Sequence, residues 1–190
     1  LHIDDAAYAE TYIGFDDRDA VRYMLSGQAQ PLDERAEQRV AELCQQKQQI
    51  FERLLDEGAP AMPGAAALVS AAHQAMPIAI ASGATASEIA MMLNSLSLAH
   101  AFDIIVAADD VARSKPDPQS YALAVERLRL EKDCPELTPA QCLAIEDTEA
   151  GLTSAQDAGL RTLSVASTRH RSHLKQADRV IDSLDGVSLD

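Results

Sequence analysis

The chain has 190 residues, 47% of them hydrophobic, which suffices for one good core and a small extra domain. Sixteen basic residues against 30 acidic ones leave a formal charge of −14. That balance argues against nucleic acid or an anionic membrane as partner, but leaves room for a small phosphorylated ligand held at a local positive site. No apolar run approaches the ~20 residues of a membrane span. The cysteines, Cys44, Cys134 and Cys142, share no CxxC spacing, so a disulfide framework or zinc site is not expected and a cytoplasmic location fits best. Leu1-His2-Ile3-Asp4-Asp5 has neither the basic nor the apolar stretch of a signal peptide. It also has no methionine, and the chain is expected to begin partway through a longer protein.

Residues 1 to about 58 read as helical. Short helices are expected over 6–12 and 19–25, on either side of Gly14. A long amphipathic helix follows over 33–57, with Val40, Leu43, Ile50, Leu54 and Leu55 as its apolar points. Gly58 ends it, and Pro60 and Pro63 mark a linker. After Gly64 the pattern changes. Helices are expected over 65–74, 87–96, 118–130 and 149–158, and apolar strands over 77–81, 103–107, 143–145, 161–165 and 179–181. Strands alternating with helices imply right-handed crossovers and a parallel sheet covered on both faces. The fold class is therefore α/β: a Rossmann-like core over 61–190 and a small helical domain over 1–60.

In such a sheet ligands bind beyond the carboxyl ends of the strands, and three strand ends carry chemistry. The strand over 143–145 runs into Glu146-Asp147. Two adjacent carboxylates repel unless a cation lies between them, and an oxygen-only set suits Mg²⁺. The alternative is that Asp147 or Thr148 merely caps the next helix. Cys142, on the same strand, reads as a small core residue. The strand over 77–81 ends in Ser82-Gly83-Ala84-Thr85. There a hydroxyl and free N–H groups at a helix start make an anion site, and Thr85 with Glu88 spells a capping box. The third is Ser114-Lys115-Pro116-Asp117-Pro118. Pro116 holds Lys115 extended beside the sheet edge, Asp117 is the expected N-cap, and the ammonium can pair with an anion.

Together these motifs resemble those of the haloacid dehalogenase-like hydrolase superfamily, in its capped β-phosphoglucomutase and phosphoglycolate phosphatase branch. Residues 78–83 match that family's second motif, Lys115-Pro116-Asp117-Pro118 the third, and residues 145–151 the fourth. Residues 12–25 resemble the cap segment over the active site. The resemblance implies that Ser82 and the Gly83 amide hold the transferring phosphoryl group. It also implies that Lys115 neutralises charge, and that Glu146 and Asp147 position Mg²⁺. The implied activity is hydrolysis of a small phosphorylated metabolite. A phosphomutase, or an inactive phospho-ligand-binding product of the same fold, is the alternative. Asp16 and Asp17 stand near where the mutases place an arginine, which favours the phosphatase.

The family's first motif, Asp-x-Asp-Gly after a central first strand, is not found ahead of the cap-like stretch. Asp17-x-Asp19 imitates it but lacks the Gly and a preceding strand, and reads as a solvated helix start. The core is thus expected to lack its first strand, with the nucleophilic Asp upstream and these 190 residues unable to complete a catalytic cycle alone. A phospho-receiver domain would place its acidic pair early and its lysine late, the reverse of the order here. His170-x-x-His173, in a basic loop, reads as solvated.

Overall fold

The computed structural model describes residues 11–12, 15–27, 32–58 and 61–189. Most of the helix expected over 6–12 lies outside these residues, as do Gly14 and Pro60.

Two helices come first. In α1 (Asp17–Ser26) the Asp16 carboxylate accepts from the Asp19 N–H at 2.8 Å, and the helix closes at Gly27 with φ 72°. In α2 (Glu34–Asp56) Asp33 caps in the same way, accepting from Ala36 N–H at 2.9 Å. The Arg22 guanidinium joins the two helices, gripping both Glu37 oxygens at 2.9 and 3.0 Å, while Leu32 N–H donates to the same carboxylate. Arg22 first, then Leu32, hold the Glu37 carboxyl down at about 2. Of the expected apolar points Val40 is buried, whereas Ile50 and Leu54 remain exposed.

The remainder alternates as α3 (Ala65–Ala75), β1 (Ala79–Ala81), α4 (Ala86–Ser95), β2 (Ile104–Val106), α5 (Gln119–Glu131), β3 (Leu143–Glu146), α6 (Glu149–Asp157), β4 (Arg161–Val165) and β5 (Arg179–Ile181). Every pairing is parallel, β1 with β2, β3 with β4 and β4 with β5. Among the described residues β1 and β3 do not pair, so the strands form a two-stranded and a three-stranded sheet. Helix α5 spans the break. Its Ala124 and Leu128 pack on Ile104 and Val106, and its Tyr121 packs on Ala144, Ala155 and Ala81. No described helix is long and apolar enough to cross a membrane.

Two details differ from expectation. β3 is buried on one face only: Ala144 and Glu146 point inward, while Leu143 and Ile145 are 54% and 44% exposed and Cys142 is half-buried. The alternation follows from the period of two along a strand whose outer face no described element covers. The cap of α5 is Pro118 rather than Asp117, whose carboxylate instead accepts from Gln119 N–H two residues on, at 3.0 Å.

Two outcomes are expected from this framework. A carboxyl held at about 2 when folded, against 4.5 otherwise, contributes stability above pH 4.5 that is lost as pH falls through 2. A carbon NMR titration should find Glu37 near that low midpoint, returning toward the ordinary value in Arg22→Gln. At Gly64, φ is 80° and an added Cβ would fall on the Leu184 carbonyl, whereas Gly27 has open space. Gly64→Ala should therefore cost about 1–3 kcal/mol in urea unfolding, and Gly27→Ala less.

Candidate active site

The break between the sheets is spanned at the carboxyl ends of β1 and β3 by one side chain. Lys115, in the loop before α5 and joined to Pro116 by a cis peptide bond, places its ammonium 3.0 Å from the Ala81 carbonyl and 2.5 Å from Glu146 Oε1. Tyr121, one turn into α5, donates its hydroxyl to that same carboxylate oxygen at 2.7 Å. The ammonium also lies 4.8 Å from the centre of the Tyr121 ring. The second oxygen, Oε2, accepts from Asp147 N–H at 3.2 Å and from the Thr148 hydroxyl at 3.3 Å. Burial pushes the Glu146 carboxyl up, but the Lys115 charge, the Tyr121 hydroxyl and the Asp147 N–H outweigh it and hold the group below its usual value. Burial, and next the Glu146 charge, push the Tyr121 hydroxyl well up, so it remains a donor.

On the neighbouring strand end, Ser82 N–H donates to the Val106 carbonyl at 2.9 Å, and Ser82 Oγ accepts from Ala84 N–H at 3.1 Å. A hydroxyl that accepts from its own turn keeps its proton free for a ligand. The expected capping box forms, with Thr85 N–H on Glu88 Oε2 at 2.8 Å and Glu88 N–H on Thr85 Oγ1 at 3.3 Å. At the end of β3, Thr148 caps α6 by accepting from Gly151 N–H at 3.1 Å. Asp147 is thereby spared that duty. Its Oδ2 accepts from the Thr168 hydroxyl, and among the described residues its other oxygen accepts nothing.

A cleft of about 940 Å³ lies between the start of α1, the loop over 111–118 and the turn after β1, walled by Asp16, Arg18, Gly83, Thr85, Ser114 and Lys115 among others. The Ser114 hydroxyl donates to Asp16 across it. Glu146 and Asp147 lie off that wall, and Glu146 communicates with the cleft through Lys115.

The structure thus gathers Ser82, Gly83, Lys115 and Glu146 at adjoining strand ends, with Asp147 beside them. The carboxylate pair is engaged by different partners: Lys115 and Tyr121 take Glu146, and Thr168 takes Asp147. Asp147 is an oxygen donor with spare valence of the kind magnesium takes, but among the described residues no group of three or more His, Cys, Asp or Glu side chains gathers to hold a metal; both oxygens of Glu146 are engaged, one of them by Lys115. Asp17 and Asp19 occupy the first turn of α1, bonded to Lys47 at 2.7 Å and Arg22 at 3.0 Å. His173 pairs with Glu149 at 3.2 Å and His170 with the Ser172 hydroxyl. Tyr121 and Thr168 were not among the residues expected. A tyrosine on the buried stripe of a helix, one turn after Lys-Pro, needs a partner for its hydroxyl, and that need was the available signal.

Gly151 leaves no room for a Cβ, which would fall on the Glu146 carboxylate. Gly151→Ala should therefore cost about 1–3 kcal/mol in urea unfolding, and much less when Glu146 is already Ala. Equal costs in the two backgrounds would disprove the contact.

Comparison with known proteins gives the following. The haloacid dehalogenase-like hydrolase family matches residues 4–159. Hexitol phosphatase A of Escherichia coli is 31% identical over 134 residues, covering 70% of this chain and 58% of the relative. Protein CbbY of Rhodobacter capsulatus is 34% identical over 134 residues, covering 68% and 56%. The chain therefore spans little more than half the length of these curated relatives. The crystal structure of CbbY from Rhodobacter sphaeroides in complex with phosphate superposes with a TM-score of 0.81 at 26% identity, covering 98% of this chain and 81% of that one. A β-phosphoglucomutase from Clostridium difficile, at 23% identity and a TM-score of 0.79, shares the fold.

Proposed function

This chain belongs to the haloacid dehalogenase-like hydrolase family, and on that premise we propose that its activity is Mg²⁺-dependent hydrolysis of a phosphoric monoester of a small metabolite. The observation that carries this reading is Lys115, whose ammonium joins the ends of β1 and β3 beside the Ser82-Gly83 turn. A cation fixed there by a buried carboxylate neutralises a phosphoryl group without having to reorganise. Relatives such as hexitol phosphatase A and the fructose-1-phosphate phosphatase YqaB, both of Escherichia coli, support a phosphorylated polyol or sugar as the substrate class.

In this reading the Ser82 hydroxyl and Gly83 N–H hold phosphoryl oxygens. Lys115 offsets their charge, Glu146 positions Lys115, and Asp147 holds the metal. Magnesium supplies further charge neutralisation at the phosphoryl group. The nucleophile is an Asp on a strand seated between β1 and β3, supplied from upstream of these residues. Its support is the pair of facing strand edges that pair with nothing among the described residues. The Asp carboxylate attacks phosphorus as the ester P–O bond breaks, and the leaving alkoxide takes a proton from the second Asp of that upstream motif; water, returning a proton to that Asp, then attacks phosphorus and frees phosphate and the first carboxylate. Residues 1–60 form the cap over the cleft, and 61–190 the core.

The test is phosphate release from a panel of polyol and sugar phosphates. With an upstream Asp-x-Asp-Gly strand supplied, Mg²⁺-dependent turnover is expected, reduced by about 100-fold or more in Lys115→Met. Residues 1–190 alone should show none. Mg²⁺-dependent turnover by these residues alone would refute the placement of the nucleophile, and an unimpaired Lys115→Met would refute the role of the lysine.

A further inference from the structure

Lys47 stands on α2, and its ammonium reaches two carboxylates in different parts of the molecule. It lies 2.7 Å from Asp17 Oδ2, on the rim of the cleft at the start of α1. It lies 2.9 Å from Glu88 Oε1, in the first turn of α4. It also sits 5.3 Å from the centre of the Phe51 ring. The two pairs are not equivalent. Asp17 is well exposed, and an exposed pair contributes little. The Glu88 side chain is only 3% exposed. Its other oxygen accepts the Thr85 N–H at 2.8 Å and the Thr85 hydroxyl at 2.9 Å. Burial pushes the Glu88 carboxyl up, and Lys47 together with Thr85 more than reverses this, holding it below its usual value.

The Glu88 carboxylate is therefore divided. One oxygen closes the turn that follows Ser82-Gly83, and the other holds a lysine of the helical layer. Taking the lysine away leaves a buried carboxylate short of a partner, which costs far more than losing a surface pair. Asp16, next to Asp17, adds a second tie across the cleft by accepting from Ser114. We propose that Lys47 is a positioning strut, which fixes how closely α1 and α2 seat over the turn at residues 82–85 and so couples the rim of the cleft to that turn on its wall. The inference goes beyond the hydrolase reading and does not depend on it, since the coupling exists without substrate.

Amide hydrogen exchange followed by mass spectrometry on the 190-residue chain tests it, with no activity required. Lys47→Met should exchange about tenfold faster over residues 16–26 and 83–92 while β4 and β5 stay unchanged. Lys47→Arg, which keeps a cation for both carboxylates, should restore most of that protection. Asp17→Asn, which removes only the exposed pair, should leave 83–92 as in the parent and 16–26 nearly so. Acceleration spread equally through β4 and β5 would mean that the lysine adds only to global stability, and that overturns the strut; so does an absence of change. If Lys47→Met fails to fold, Lys47→Gln decides, and exchange over 83–92 unchanged from the parent overturns the proposal.

Discussion

A lysine ammonium seated on a buried carboxylate holds the α/β layer together where its hydrogen-bonded ladder is interrupted. Lys115 touches the last carbonyl of β1 and the carboxylate that ends β3, and Tyr121 supplies both a ring beneath the ammonium and a proton for the same oxygen. Burying either charge alone would be costly; together, with every oxygen of Glu146 occupied, they are tolerated. The arrangement also fixes chemistry. The lysine cannot wander, because three partners surround it, and its charge stays at the mouth of both sheets.

Legibility in the sequence followed the physics of each signal. The β3–α6 junction was readable because a short apolar run breaks abruptly into Glu146-Asp147-Thr148, and the Thr85–Glu88 capping box was readable from a T-x-x-E pattern. Such local rules act within a few residues and survive without tertiary context. That Glu146 and Asp147 are engaged by different partners was not readable. It depends on Tyr121 arriving from α5, 25 residues away in sequence, and on Thr168 from the loop after β4. The half-exposed faces of β3 and of α2 were hidden for a similar reason: an apolar pattern states that a face can be covered, but not by what.

The helical layer shows how a strongly acidic chain spends its few cations. Arg22 binds Glu37 and Asp19, Lys47 binds Asp17 and Glu88, and Arg113 binds Asp117. Arg22 and Lys47 join separate segments, whereas Arg113 and Asp117 belong to one loop of the α/β layer. Arg18, exposed among partly buried neighbours on α1, borders the same cleft. The positive charge near the cleft is thus a product of pairing geometry rather than of any local excess of basic residues.

The edges of β1 and β3, which pair with nothing among the described residues, bear on how copies of this chain behave in solution. The two edges border one break, and with apolar Leu143 and Ile145 alongside they offer a place where a strand of a second copy could pair. What opposes that pairing is the shared sign of the molecules: at −14 per copy they repel at low ionic strength, and added salt screens the repulsion. Colloidal stability should therefore be lost as salt rises or as pH approaches the isoelectric point near 4.6.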